Sequence, residues 1–120
     1  MKVIRTSIKD IDTNPLMLYR MTQSKATKSI SKLTDEELDK LYEIDEFVEY
    51  EDVNSKGEVV TILAMLSGEN VLAAQSATFR ESFNKIVDIV GEHRKFTIAV
   101  LTNVSKAGRR FVDCDLRAIN

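Results

Sequence analysis

With 120 residues, 43% apolar and 30% charged, the chain has enough material for one compact core and too little for two. One cysteine and one histidine exclude an internal disulfide and a zinc site of the usual Cys/His kind. The net charge of −2 hides a segregation: residues 1–33 sum to +5, residues 34–70 to −10 and residues 71–120 to +3, so folding can gather the basic ends on one side as a positive patch.

At the amino terminus, Met1-Lys2-Val3-Ile4-Arg5 is followed by polar residues instead of an apolar stretch. A secretory signal is not expected, and a cytoplasmic location is. Lys2 to Ile8 is compatible with an extra strand. Asn14-Pro15 sets a turn before Leu16-Met17-Leu18-Tyr19, whose apolar side chains suit a short helix or clasp. Thr22 to Ser31 is polar and basic and reads as a mobile or ligand-facing loop. Thr34-Asp35-Glu36-Glu37 has the spacing of a capping box, which implies a helical turn or two.

From Leu41 to Val53, β-branched and aromatic residues alternate with acids, the pattern of a half-buried strand. Period two places Tyr42, Ile44, Val48 and Tyr50 on one face and Phe47 on the other. Asn54-Ser55-Lys56-Gly57 is a turn, Glu58 to Leu66 a second strand, and Val71 to Gln75 a third. The apolar run Val59 to Leu66 is far shorter than the roughly 20 residues that span a bilayer as a helix.

The period then changes to about 3.6, with Phe79, Phe83, Ile86, Val87 and Val90 on one stripe. Ser76 or Thr78 caps this helix and Gly91 stops it, so it runs from Ala77 to Val90. Lys95 to Val104 alternates again as a fourth strand. Ser105-Lys106-Ala107-Gly108 is a hairpin turn, and Arg109 to Leu116 a fifth strand with Val112, Cys114 and Leu116 inward. The order strand, strand, strand, helix, strand, strand matches the five-stranded OB-type Greek-key barrel. The expected architecture is mainly β: an OB domain at residues 41–120, with one helix between its third and fourth strands and residues 1–40 packed on it as an extension.

No catalytic constellation stands out. His93 has no partner marked by motif and suits a solvated helix end; Asp113 and Asp115 are ordinary strand carboxylates; Cys114 suits a buried thiol. No enzyme activity, cofactor or metal is expected. The informative feature is the turn bearing Lys106, Arg109 and Arg110 next to Phe111. Single-strand binding needs cations for phosphates beside flat rings for bases, and Phe47 and Phe111 both lie opposite the predicted core. Such rings otherwise lie beneath the amino-terminal segment or a partner subunit.

These patterns resemble the small single-stranded DNA-binding proteins of tailed phages and mobile elements of Gram-positive bacteria. The likeness covers roughly Tyr42 to Leu116. It rests on Tyr50-Glu51-Asp52, Lys56-Gly57-Glu58, the stretch from Ser67-Gly68 to Ser76-Ala77-Thr78-Phe79, the helix Phe83 to Val90, and the hairpin Thr102 to Arg109. Leu18-Tyr19-Arg20-Met21-Thr22 is similar to the amino-terminal segment of some members. The resemblance implies an OB fold that coats single strands in replication or recombination with little base preference, in the host cytoplasm if the chain is phage-encoded. The chain ends Asp115-Leu116-Arg117-Ala118-Ile119-Asn120 without the acidic tail of cellular bacterial homologues, which puts recruitment of replication partners through such a tail in doubt.

The expectation is therefore sequence-tolerant binding of single-stranded DNA. Its phosphate partners are Arg20, Lys25, Lys28, Lys32, Lys106, Arg109 and Arg110, and its stacking groups Tyr19, Phe47, Tyr50 and Phe111. The rival expectation is a protein-interaction or partner-loading module in a replication assembly, in which the exposed aromatics and the acidic middle segment meet a protein. Replication or recombination proteins are expected partners, self-association is open, and a membrane is not involved.

Overall fold

Asp45 divides the acidic-aromatic strand in two. In the computed structural model, which describes residues 1–120, Leu41–Ile44 and Glu46–Val53 are separate strands. The Asp45 backbone N–H donates to the Leu66 carbonyl at 2.8 Å, and its carboxylate accepts from the Gly68 N–H at 2.8 Å. One extra residue between the strands reverses the side-chain phase. Tyr42, Ile44 and Phe47 consequently enter one core, while Val48 and Tyr50 enter another.

Eight strands form two sheets. In the larger, β1 (Lys2–Thr6), β4 (Glu46–Val53), β5 (Val59–Ser67), β6 (Asn70–Ala74) and β2 (Lys28–Ser29) lie in the order β1-β4-β5-β6-β2. All neighbours are antiparallel except β2, which runs parallel to β6. In the smaller, β3 (Leu41–Ile44), β7 (Phe96–Val104) and β8 (Arg110–Ile119) are antiparallel in the order β3-β7-β8. Residues 1–40 thus supply both edge strands of the larger sheet.

The protein is mainly β, as expected, but its strands do not close into a barrel. No pairing joins β6 to β8, which is where an OB barrel would seal. The short strand β2 takes the edge of β6 instead, and the 3-10 turn Ile30–Lys32 that follows packs against both β6 and β8. Ile30, 3% exposed, is part of the main core.

That core lies between the sheets and helix α3 (Ala77–Val90). Phe79, Phe83, Ile86 and Val87 form the buried stripe predicted from their spacing. The Ser76 hydroxyl accepts from the Phe79 N–H, and Gly91 leaves the helix at φ 104°, a conformation open to glycine at little cost. Phe83 meets the edge of Phe47 with ring centroids 5.2 Å apart and lies 5.5 Å from Phe96.

A second core covers the opposite face of the larger sheet. Met17, Leu18 and Met21 of α1 (Pro15–Gln23) pack with Ile8 on Val48, Tyr50, Ala64, Leu66 and Val71. The Tyr50 hydroxyl reaches the Thr22 carbonyl at 3.4 Å. Helix α2 (Asp35–Leu38) begins with the expected capping box: Thr34 Oγ1 accepts from the Glu37 N–H, and the Glu37 carboxylate accepts from the Thr34 N–H.

Candidate nucleic-acid interface

The unsealed gap between β6 and β8 is a cleft of about 440 Å³. Its walls come from three stretches: 27–32, the end of β6 with the α3 cap, and the start of β8. Thr27, Ser29, Ser31 and Ser76 contribute hydroxyl-bearing residues, Gln75 an amide, and Ile30, Ala73 and Val112 apolar surface. Ser29 and Ser31 hydroxyls lie 2.9 Å apart. Lys32 is the one charged residue lining the cleft, and it makes no ion pair. Neutral donors around one cation suit a ligand carrying dispersed negative charge and hydrogen-bonding edges.

Beside the cleft stands a projecting arm. Leu101, Thr102, Asn103 and Val104 are all exposed, and because consecutive strand residues point to opposite faces, this end of β7 is bare on both faces, whereas its partners Phe111, Val112 and Asp113 on β8 are half-buried. The tip carries Lys106, Arg109 and Arg110, exposed and without carboxylate partners. Gly108 turns it with φ 79°, and the Arg109 N–H donates to the Ser105 hydroxyl at 3.1 Å. Arg110 shares the strand face of Val112, so it stands over the cleft side of the arm. Phe111 is half-buried on the opposite face, across from Asn103.

The other expected site residues divide. Phe47 and Tyr50, expected as exposed stacking rings, are 2% and 4% exposed. The inserted Asp45 turns Phe47 into the main core, and α1 covers Tyr50, so neither presents a face to a base. Burial also raises the Tyr50 phenol. Tyr19 is 64% exposed and Arg20 is exposed beside it on α1, over the outer face of the larger sheet. Lys25 is exposed in the loop after α1. Lys28 is tied to Glu37, Nζ to Oε2 2.8 Å, so its charge is already answered. The hydrogen bond from Lys28 holds the Glu37 carboxyl down to about 2, and the Thr34 N–H adds to the effect.

The structure therefore places Lys32 alone of the expected cations in the cleft wall, with Lys106, Arg109 and Arg110 on the adjoining arm, and leaves Tyr19 and Arg20 on a different layer. Sequence reasoning missed Gln75 and Ser76 as cleft residues, since one ends a strand and the other caps a helix; only the polar character of Thr22 to Ser31 marked this region. Cys114 is buried, and desolvation pushes its thiol up to about 12, with Asp113 and Asp115 adding to the rise. Asp115 pairs with Arg117 at 3.1 Å. No group of three His, Cys, Asp or Glu residues is placed to hold a metal ion.

No protein-family model matches the chain, and neither curated proteins nor solved structures yield a match.

Proposed function

We propose that the protein binds single-stranded DNA with little base preference, in the replication or recombination of a phage or mobile element. The observation that carries this reading is the cleft between β6 and β8, with Lys32 inside it and a cation-tipped arm beside it. Phosphates lie along Lys32, Arg110, Arg109 and Lys106. The strand pairings β3–β7, β4–β5, β5–β6 and β7–β8 with one helix before β7 support an OB-type fold whose last seam is held open by the amino-terminal segment.

Four phosphate contacts on a single strand predict that log affinity falls against log salt with a slope of about −3. Anisotropy of labelled oligo-dT measures it. Tyr42 and Tyr50 are buried, so intrinsic tyrosine emission is a poor reporter. Failure to bind at low salt would sink the proposal.

One observation favours the protein-interaction alternative. On the outer face of the smaller sheet, Leu41 is 60% and Leu101 38% exposed. In register, Asp113 lies opposite Leu101, and Asp115 and Leu41 flank Ala99. That face repels phosphate and suits a basic, partly apolar protein surface. Under this reading Leu101→Ser abolishes partner capture and leaves oligo-dT affinity, if any, unchanged.

A further inference from the structure

A second cleft, of about 290 Å³, shares no lining residue with the first. It opens where Ser7–Lys9 after β1, the junction Ile44–Phe47 and Glu92–Phe96, running from the α3–β7 loop into β7, meet. Ser7 is buried at 8% exposure. Its hydroxyl donates to Glu46 and accepts from the Phe47 N–H at 2.8 Å. His93 Nδ1 lies 3.0 Å from the Ser7 carbonyl oxygen. A carbonyl only accepts, so Nδ1 carries the hydrogen and Nε2 is left without a partner.

The charges sort in one direction. Every carboxylate lining this cleft already has a partner: Glu46 accepts from Ser7, Glu92 accepts from Arg5 Nε at 3.0 Å, and Asp45 accepts from Gly68 and faces Lys95 Nζ at 3.5 Å. Lys9 and Arg94 line the same cleft and form no ion pair. The groups left without an ion pair are therefore two cations, Lys9 and Arg94, against one carboxylate, Glu46, whose partner is an uncharged hydroxyl; the His93 Nε2 adds a free hydrogen-bonding site. We propose that this cleft binds a phosphate dianion, either free hydrogen phosphate or the phosphate of a mononucleotide.

Arg94 provides a planar fork that matches two phosphate oxygens, and Lys9 a point charge. Nε2, with Nδ1 carrying the hydrogen, accepts from a ligand hydroxyl, that of hydrogen phosphate or of the sugar. At about 290 Å³ the cleft has room for a phosphate and its substituent. The site thus goes beyond the proposed strand interface and does not depend on it.

The test is a titration of isotope-labelled protein at constant ionic strength with inorganic phosphate, AMP or chloride, following the His93 ring, Arg94 side chain and Ser7 amide by NMR. Saturable shifts with phosphate and AMP, absent with chloride, are expected. Equal affinities identify free phosphate as the ligand, and tighter AMP binding a mononucleotide. Arg94→Gln and Lys9→Gln should each weaken binding about tenfold, the loss of one charge-assisted contact. Arg94→Gln should leave oligo-dT affinity within about twofold, which separates this site from the other. Linear shifts matching those of chloride, or saturable shifts that survive the double substitution, overturn the proposal.

Discussion

Replacing Phe47 with leucine separates its two assigned roles, an exposed ring that stacks on a base and a core ring. Phe47 is 2% exposed and its ring meets Phe83 edge to face at 5.2 Å. Losing that aromatic contact costs about 0.5–1.5 kcal/mol, and a residual void the size of a methyl group adds about 1 kcal/mol. Phe47→Leu should therefore destabilise the fold by about 1.5–2.5 kcal/mol, well inside the 5–15 kcal/mol typical of a domain, about 10 on the same scale. At roughly 4 °C per kcal/mol, the melting midpoint followed by circular dichroism should fall by about 6–10 °C. Oligo-dT affinity, measured well below that midpoint, should not change. An unchanged midpoint together with a tenfold loss of affinity would refute the burial argument and return Phe47 to the interface.

Three further outcomes follow from the charges and the thiol. Lys32→Gln should weaken oligo-dT binding and reduce the salt slope by about 0.7, whereas Lys28→Gln, whose charge Glu37 already answers, should leave both unchanged; anisotropy across a salt series compares them. The folded-state depression of Glu37 to about 2 means that its contribution is present above the ordinary carboxylate range near 4.3 and disappears as pH falls through about 2. Urea midpoints of the wild type and Glu37→Gln should then differ at neutral pH and converge in acid. Cys114, with its thiol pushed up to about 12 and buried, should resist a thiol reagent at pH 8 and react only as fast as the chain opens; rapid labelling of the native protein would contradict its placement.

Helix α3 was fully legible in the amino-acid sequence, because Phe79, Phe83, Ile86 and Val87 repeat at the helical period between a serine cap and a glycine stop. The hairpins at Asn54–Gly57 and Ser105–Gly108 were equally readable, since turn residues with positive φ interrupt period-two runs. The phase of residues 41–53 was not. A single residue out of register reverses every side chain after it, and nothing in the local composition around Asp45 marks the interruption. Cleft residues such as Gln75 and Ser76 were invisible for a related reason: each has an ordinary local role, and they face Lys32 only through pairing across a long stretch of chain.

Local chemistry by itself determined which segments extend, which coil and where the chain turns, because those preferences are set by neighbours within a few residues. Tertiary structure alone decided that the seam between β6 and β8 stays open, that α1 hides Tyr50, and that Lys28 is neutralised while Lys32 is not. Those outcomes depend on which distant surfaces exclude water from one another, and a short window of residues carries no record of its eventual neighbours.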